Sequence, residues 1–425
     1  MSAGCARLLA GWHETGRAAG LRDHLDRYGP PPLATSRKGR HQLIEDLDRA
    51  GLTGRGGAAF PAGRKLRAVA AARGPAVVVA NGMESEPASR KDQTLLALAP
   101  HLVLDGMALA AAAAGAQDAY ICLPRSRPRQ VQAIREAVEH RRRGQLDRVP
   151  VAVREPPARY VSSEETALVR WLNGGDARPA STPPRPFERG VSKRPTLVSN
   201  VETLAHLALI ARYGPEWFRS AGTEDAPGTA LVTLAGAFAR PGVHEVGLGA
   251  AVRDVLALGS PAATPQAVLF GGYQGAWLPG GPALAARYSA PALQAAGAVP
   301  GPGLIMALAD GSCGLAETAR ILAYLAEQSA GQCGPCRFGL PAVAGDFADL
   351  AWGRGPAHRL EQRISLLTGR GACHHPDGAA RLAASALRAF SHDVRRHLTA
   401  GPCDAARSVP HTTRTAVPAG REGWR

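Results

Sequence analysis

The pattern of apolar and polar positions divides the chain into three stretches of different rhythm. In the first, helical and strand-like periods alternate. An amphipathic helix is expected over residues 41–50, then a glycine-rich loop over 51–57, a helix over 64–72 and a short β-branched strand over 76–80. A polar cluster, 81–87, closes that strand, and a helix-like segment over 93–115 and a second strand over 119–123 follow. Such alternation predicts an α/β layer with a largely parallel sheet. Residues 173–196, rich in Gly, Pro, Arg and Ser, read as an ordered loop or linker. The second stretch, 229–278, has short apolar runs split by turn signals such as Arg240-Pro-Gly242, and predicts a small separate β-rich or α+β domain. Beyond Gly311 the period turns helical, with Leu315, Ala319, Leu322 and Leu325 on one face. At the ends, residues 1–38 carry a short helical stretch and a Gly-Pro-Pro-Pro run, and the Pro/Thr/Arg-rich segment 404–425 is expected to be disordered.

Composition narrows the class. At roughly 100–200 residues per domain, 425 residues predict two to four domains. A chain that is 45% hydrophobic is neither disordered nor collagenous, and seven cysteines are too sparse for a disulfide scaffold. The longest apolar stretch, 102–116, is interrupted by Asp105 and is too short to span a bilayer. The first residues turn polar at once, without the apolar run of a signal peptide. The expected location is cytoplasmic, either free or docked peripherally at the inner face of the cell membrane. The net charge of +15 is scattered, with short clusters such as 141–143 and no interleaved aromatics. That pattern argues against nucleic acid and for an acidic protein partner.

Five blocks carry candidate chemistry. Gly54-Arg-Gly-Gly-Ala-Ala-Phe-Pro-Ala-Gly-Arg-Lys65 lets a backbone approach a phosphate, with Arg55 and Lys65 as neutralising cations. Alone it reads more readily as an ordinary turn than as a phosphate loop, since its spacing is neither Walker A nor a strict G-x-G-x-x-G. Asn81-Gly-Met-Glu-Ser-Glu-Pro87 lies at the end of a predicted strand, where ligands of α/β sheets bind; its alternative is a solvated acidic loop. Tyr160-Val-Ser-Ser-Glu-Glu-Thr-Ala167 carries two acids that fit either a site or a helix cap. Pro195-Thr-Leu-Val-Ser-Asn-Val-Glu-Thr203 is a polar turn running into a helix. Cys333-Gly-Pro-Cys336, with Cys373 beyond it, indicates a metal, an iron–sulfur cluster or a redox dithiol. A thioredoxin-like dithiol would follow a strand, and this pair follows a helix. Cys5, Cys122, Cys313 and Cys403 read as core or incidental thiols.

In this order the blocks resemble the flavin-bearing 51 kDa subunit of respiratory complex I and its relatives in NAD-linked hydrogenases and formate dehydrogenases. The resemblance covers roughly residues 40–400. It implies a Rossmann-like α/β flavin domain (39–225) after an N-terminal extension (1–38), an α+β ubiquitin-like β-grasp domain (226–285) and a helical iron–sulfur bundle (310–400). It implies hydride transfer from a nicotinamide cofactor to non-covalent FMN, then single-electron release to a cluster. By similarity, Gly54, Arg55, Gly56, Gly57 and Lys65 would cradle the FMN phosphate and ribityl chain. Asn81 and Glu84 would flank the flavin, and Asn200 and Thr203 would close its pocket. Tyr160, Glu164 and Glu165 would line the shared cavity, with Glu165 near the adenosine ribose. Glu86 would reach the nicotinamide side, and Glu86 and Glu165 are the candidate catalytic carboxylates. Cys333, Cys336 and Cys373 would be the metal ligands.

Departures from the family pattern shape these expectations. Its first cluster cysteine is Ala330 here. The fourth iron site would take water or a side chain, with His374 and His375 as candidates; the cluster would be [3Fe–4S]; or the site would hold zinc as Cys3His, or nothing. In the cleft the family's Asp is Met83, its first Asn is Ser199 and its Gly before the two acids is Ser163. Of three adenine-gripping aromatics Phe60 remains, the others falling at Ala68 and Arg185, and a cofactor-contacting Lys falls at Thr182. Lost stacking weakens dinucleotide binding by about 0.5–1.5 kcal/mol per aromatic contact. NADH, NADPH or neither therefore stays open. Three functions compete: an NAD(P)H-oxidising flavoprotein feeding an acidic ferredoxin-like or thioredoxin-like iron–sulfur protein, a ferredoxin-linked subunit passing electrons to a membrane partner, and a degenerate scaffold.

Overall fold

The computed structural model describes residues 6–33, 36–408 and 421–425. The first sheet has four strands, β1 (Ala76–Asn81), β2 (Ala116–Cys122), β3 (Val151–Arg154) and β4 (Thr196–Asn200), in the order β3-β2-β1-β4. All its pairings are parallel, as the alternation of elements predicts. β1 is buried on both faces. Val78 and Ala80 face a core built with helices 37–50, 100–114 and 201–219, while Val77 and Val79 pack on Leu168, Val169 and Val191. The helix expected over 93–115 is two helices, Lys91–Leu98 and Pro100–Ala114, bent by 95°. Pro100 supplies no N–H and restricts Ala99, so the first helix ends there. Helix 100–114 lies tightly on helix 201–219: a Cβ at Gly106 would stand 1.9 Å from the Leu204 carbonyl oxygen.

The second sheet has five strands, β5 (Thr229–Gly236), β6 (Gly242–Gly247), β7 (Ala267–Phe270), β8 (Ala276–Pro279) and β9 (Leu304–Leu308), in the order β6-β5-β9-β7-β8. The β5–β9 pair is parallel and the other pairs are antiparallel. β9 comes from beyond residue 285, so this unit runs further along the chain than the expected boundary. One face, with Val232, Leu234 and Phe270, packs on short helices of its own. The other, with Leu269, Trp277 and Met306, packs on the C-terminal helical bundle in one continuous core.

That bundle comprises helices Gly314–Glu327, Leu340–Ala351, Ala357–Leu367, His375–Ala389 and Ser391–Ala400. Leu315, Leu322 and Leu325 are buried on the face that the periodicity predicts. The N-terminal segment is anchored: Leu8 and Leu9 are buried, and Glu245 on β6 accepts the N–H groups of Arg7, Leu8 and Leu9. The disorder expected over 404–425 does not hold at its two ends. Residues 404–407 are helical, and Trp424 is fully buried between the guanidinium groups of Arg159 and Arg178. Residues 409–420 of that segment lie outside the described residues. Among the described residues no single helix is long and apolar enough to cross a membrane.

Candidate functional site

The glycine loop is closed on itself. The Gly54 N–H donates to the Phe60 carbonyl at 2.9 Å, and Gly57 adopts φ +113°, open to glycine. The Arg55 N–H donates to Thr203 Oγ1 at 2.9 Å, which pins the loop to the first turn of helix 201–219. Gly56 lies over Asn200: a Cβ there would come within 3.4 Å of the Asn200 Cβ. The Arg55 guanidinium does not face a phosphate as expected. It turns inward, donating to Thr53 Oγ1 (2.8 Å) and the Thr229 carbonyl (3.0 Å), with Nε 3.8 Å from Glu202. The loop therefore presents backbone amides beside the Lys65 ammonium rather than the Arg55 guanidinium. Helix 62–71 starts directly after the loop, with its first N–H, at Ala62, donating to the Leu52 carbonyl at 2.8 Å. Lys65 Nζ lies 2.6 Å from Glu165 Oε2, and both side chains are half-buried.

The C-terminal ends of β1 and β4 meet beside the loop. Asn81 and Asn200 are register partners. Asn81 Nδ2 donates to the Ser163 carbonyl at 2.8 Å; Asn200 caps helix 201–219 through Oδ1 and donates from Nδ2 to Asp92 at 2.7 Å. The Ser85 and Ser163 hydroxyls are 2.5 Å apart, so the serine that replaces the family's glycine is tied to the acidic loop. Beneath them lies a buried charge cluster: Lys91 Nζ is 2.6 Å from Asp92 and 2.8 Å from Glu202. Burial pushes the Glu202 carboxyl up, but Lys91, His206 and Arg55 outweigh it and hold it at about 2.

Glu86 is buried at the junction of the two sheet-bearing units. Its Oε2 accepts the Tyr160 hydroxyl at 2.9 Å and the Tyr273 N–H at 3.0 Å, while its Oε1 has no protein partner. Burial lifts this carboxyl to about 7, against the two hydrogen bonds. Gly272, at φ +78°, makes the approach possible, since a Cβ there would meet Glu86 Oε2 at 2.5 Å. Tyr273 and Gly272 escaped the sequence reasoning; the Gly-Gly-Tyr turn after the apolar run 267–270 was their signal.

Two predicted site carboxylates are turned to other work. Glu84, at φ +38°, accepts the N–H groups of Asp92 and Gln93 at 2.9 and 3.0 Å and pairs with Arg127 at 3.1 Å. Its carboxylate secures helix 91–98. Glu164 is the N-cap of helix 165–172, accepting from the N–H groups of Thr166 and Ala167. Phe60 is exposed, with the Arg64 guanidinium over its ring at 5.7 Å. Arg185 is exposed, and its N–H donates to Glu188 at 2.8 Å.

The three cysteines of the bundle come together behind Glu164. Cys336 is buried beside Cys333, and burial followed by that neighbour raises its thiol strongly. Burial lifts Cys373 to about 11; the His375 N–H, which donates to its sulfur, opposes this, and the Glu164 carboxylate adds to it. Neither histidine offered for the missing ligand is placed for it. His375 Nε2 is 2.8 Å from the Leu325 carbonyl and its Nδ1 is 2.8 Å from Gln274 Nε2, while the side chain of His374 is fully exposed and contacts Asp377. Ala330, at the first position, is buried. Gln332 ties this loop to the α/β unit through Arg170 (3.1 Å) and the Pro179 carbonyl (2.8 Å).

A glycine loop and a lysine at parallel-strand ends, a buried carboxyl and three neighbouring cysteines fit the class of flavin and iron–sulfur electron-transfer proteins. Residues 47–209 match the Nuo51 FMN-binding domain, and residues 316–397 match the NADH-ubiquinone oxidoreductase-F iron-sulfur binding region. The chain is 31% identical over 416 residues to the second F subunit of the NADH-quinone oxidoreductase of Rhizobium meliloti (strain 1021), covering 93% of this chain and 96% of that one. It is 32% identical over 402 residues to the F subunit of the Streptomyces coelicolor enzyme, covering 89% and 88%. The crystal structure of the H2-reduced NAD+-reducing [NiFe]-hydrogenase aligns with a TM-score of 0.82 at 29% identity, over 94% of this chain and 67% of that one. The chain belongs to the family of NADH-quinone oxidoreductase F subunits.

Proposed function

We propose that this chain is an NAD(P)H-oxidising subunit that takes a hydride onto FMN and passes single electrons through an iron–sulfur centre to a partner protein. The observation that carries this is a continuous chain of contacts from the glycine loop to the cysteines. Thr203 holds the glycine loop, Asn81 holds Ser163, Lys65 holds Glu165, and Glu164 in the same turn acts on Cys373. FMN supplies the hydride and one-electron chemistry when bound. The amides of Gly54, Gly56 and Gly57 and the Lys65 ammonium would hold its phosphate, and Asn81, Asn200 and Thr203 would set its depth. Glu86, with a pKa near neutrality, holds or releases a proton at Oε1, and Tyr160 fixes its rotamer. Glu165, once freed from Lys65, would accept ribose hydroxyl hydrogens.

The second sheet, in its strand order and its one parallel pair, supports the reading of a β-grasp unit. The partner we propose is an acidic ferredoxin-like or thioredoxin-like iron–sulfur protein. Phe338 is 72% exposed and Leu366 54% exposed, on either side of the contact between Gly339 and Leu367 and close to Cys336. Arg337 and Arg370 border them, so the patch is apolar with a basic rim. A peripheral place in a larger complex suits a chain with such a patch.

Anaerobic titration of the purified protein with NADH tests the function. Stoichiometric bleaching of a flavin band supports it. The bare adenine side favours a second reading, because Phe60 stands there without the aromatics absent at Ala68 and Arg185. Flavin that reduced ferredoxin bleaches and neither NADH nor NADPH does would establish that reading instead. Protein without flavin or iron after reconstitution would leave a scaffold.

A further inference from the structure

Away from the cleft, three ligand-bearing side chains from separate segments meet at the edge of the bundle. Cys313 stands at the start of helix 314–327, His397 lies on helix 391–400, and Cys403 follows that helix. One ligand atom from each, Cys313 Sγ, a His397 ring nitrogen and Cys403 Sγ, lies within 4.8 Å of the other two. Cys313 and His397 are buried and Cys403 is half-buried. The proposed electron-transfer chemistry uses none of them.

Local hydrogen bonds orient all three side chains. His397 Nδ1 is 2.8 Å from the Ala351 carbonyl, which can only accept, so Nδ1 carries the hydrogen. The Nε2 lone pair faces Cys403 and accepts its N–H at a long 3.3 Å, a weak hydrogen bond that a bound cation would replace. A backbone carbonyl holding the far nitrogen is the usual support of a metal-bound imidazole. The N–H groups of Ala316 and Ala406 donate to Cys313 Sγ and Cys403 Sγ, each at 3.4 Å, and fix the positions of both sulfurs. The end of helix 391–400 is also seated closely: a Cβ at Gly353 would stand 2.3 Å from the His397 carbonyl oxygen.

We propose that Cys313, His397 and Cys403 bind a single zinc ion, with solvent as the fourth ligand. Two thiolates and one imidazole select zinc over the oxygen-seeking divalent cations, and their spacing suits one ion. Binding displaces the two thiol protons to solvent. The ion would clamp the first helix of the bundle to the chain segment that follows its last, which accounts for two thiols otherwise read as incidental.

The test is metal analysis of the full-length protein, purified anaerobically from zinc-replete medium. A single equivalent of zinc is expected in addition to iron. It should fall by about tenfold or more in Cys403→Ser and in His397→Gln, with flavin and iron unchanged, and persist in Cys333→Ser. Cobalt(II) added to chelator-treated wild-type protein should give thiolate charge-transfer and tetrahedral d–d bands that zinc abolishes, a readout that needs no variant to fold. Zinc absent from wild type together with no cobalt bands would overturn the proposal. So would zinc retained in both variants, or a Cys313–Cys403 disulfide as the main species in the anaerobic protein.

Discussion

The Tyr160 hydroxyl donates to Glu86 Oε2 at 2.9 Å, joining the acidic loop after β1 to the turn before helix 165–172. The Tyr273 N–H, from the second sheet, completes the same oxygen at 3.0 Å. Glu86 is thus held by two units of the fold, and its free Oε1 is the atom left to exchange a proton.

A stability signature follows from this burial. Glu86 ionises at about 7 in the folded chain and near its ordinary value of about 4.3 when unfolded. Between those values the folded state keeps a proton that the unfolded state releases. The contribution of Glu86 is therefore undiminished at low pH, and stability is lost as pH rises through that window. Glu86→Gln removes the titration. Urea unfolding of flavin-free protein should show the variant gaining on wild type by roughly 1–3 kcal/mol between about pH 5 and pH 8. Parallel pH profiles would show that Glu86 is not held protonated.

Thr203 is the anchor of the glycine loop. Thr203→Val removes the acceptor of the Arg55 N–H and leaves a part-buried donor unpaired, at a cost of about 1–3 kcal/mol. Thr203→Ser keeps the oxygen. Flavin affinity by fluorescence quenching should fall by roughly tenfold or more in the valine variant and by far less in the serine variant. Equal losses would mean that the methyl group, rather than the hydrogen bond, shapes the loop.

Lys65 is paired with Glu165 before any ligand arrives. Lys65→Ala should lower the flavin retained through gel filtration, with a dissociation constant raised by roughly tenfold to a hundredfold, as expected for a charge-assisted hydrogen bond worth about 1.5–3 kcal/mol. Glu165→Gln should leave flavin affinity intact and raise the KM for NADH. Flavin loss in both variants would place Glu165 in the flavin site itself.

Much of this architecture was legible in the chain. The β-branched run ending in Asn81 is a buried parallel strand because both its faces are covered, and the helical rhythm beyond Gly311 is the bundle. The roles of the acids were harder to read. Glu84 and Glu86 are two positions apart in a polar cluster, yet the positive φ of Glu84 swings its carboxylate onto the amides of Asp92 and Gln93, while Glu86 is buried against Tyr160. No spacing rule encodes that turn. Glu164 likewise reads as a site acid until it is seen capping its own helix. Contacts between distant units, such as Tyr273 with Glu86, depend on how the second sheet docks and leave only a Gly-Gly turn as a trace. The zinc-type trio joins Cys313 to His397 and Cys403 across the whole bundle, a separation beyond any local motif.

The cysteine loop gives the last prediction. Cys333, Cys336 and Cys373 face one another, and Ala330, at the position before this group, is buried in the same core. Three thiolates leave one corner of a four-iron cluster without a protein ligand, so wild type should reconstitute with a labile corner iron. Neither His374 nor His375 fills it, since one side chain is in solvent and the other is committed at both nitrogens. Ala330→Cys supplies a fourth thiolate from within the loop. Iron and sulfide per chain should rise after anaerobic reconstitution, and the electron paramagnetic resonance of air-exposed protein should lose any three-iron signal in favour of a stable four-iron cluster. Gln332 is expected to keep the loop in place in both proteins through Arg170 and the Pro179 carbonyl. If wild type already holds four irons that survive air as well as those of Ala330→Cys, a ligand outside this loop completes the cluster. If neither protein takes up iron, the three thiols do not form an iron–sulfur site.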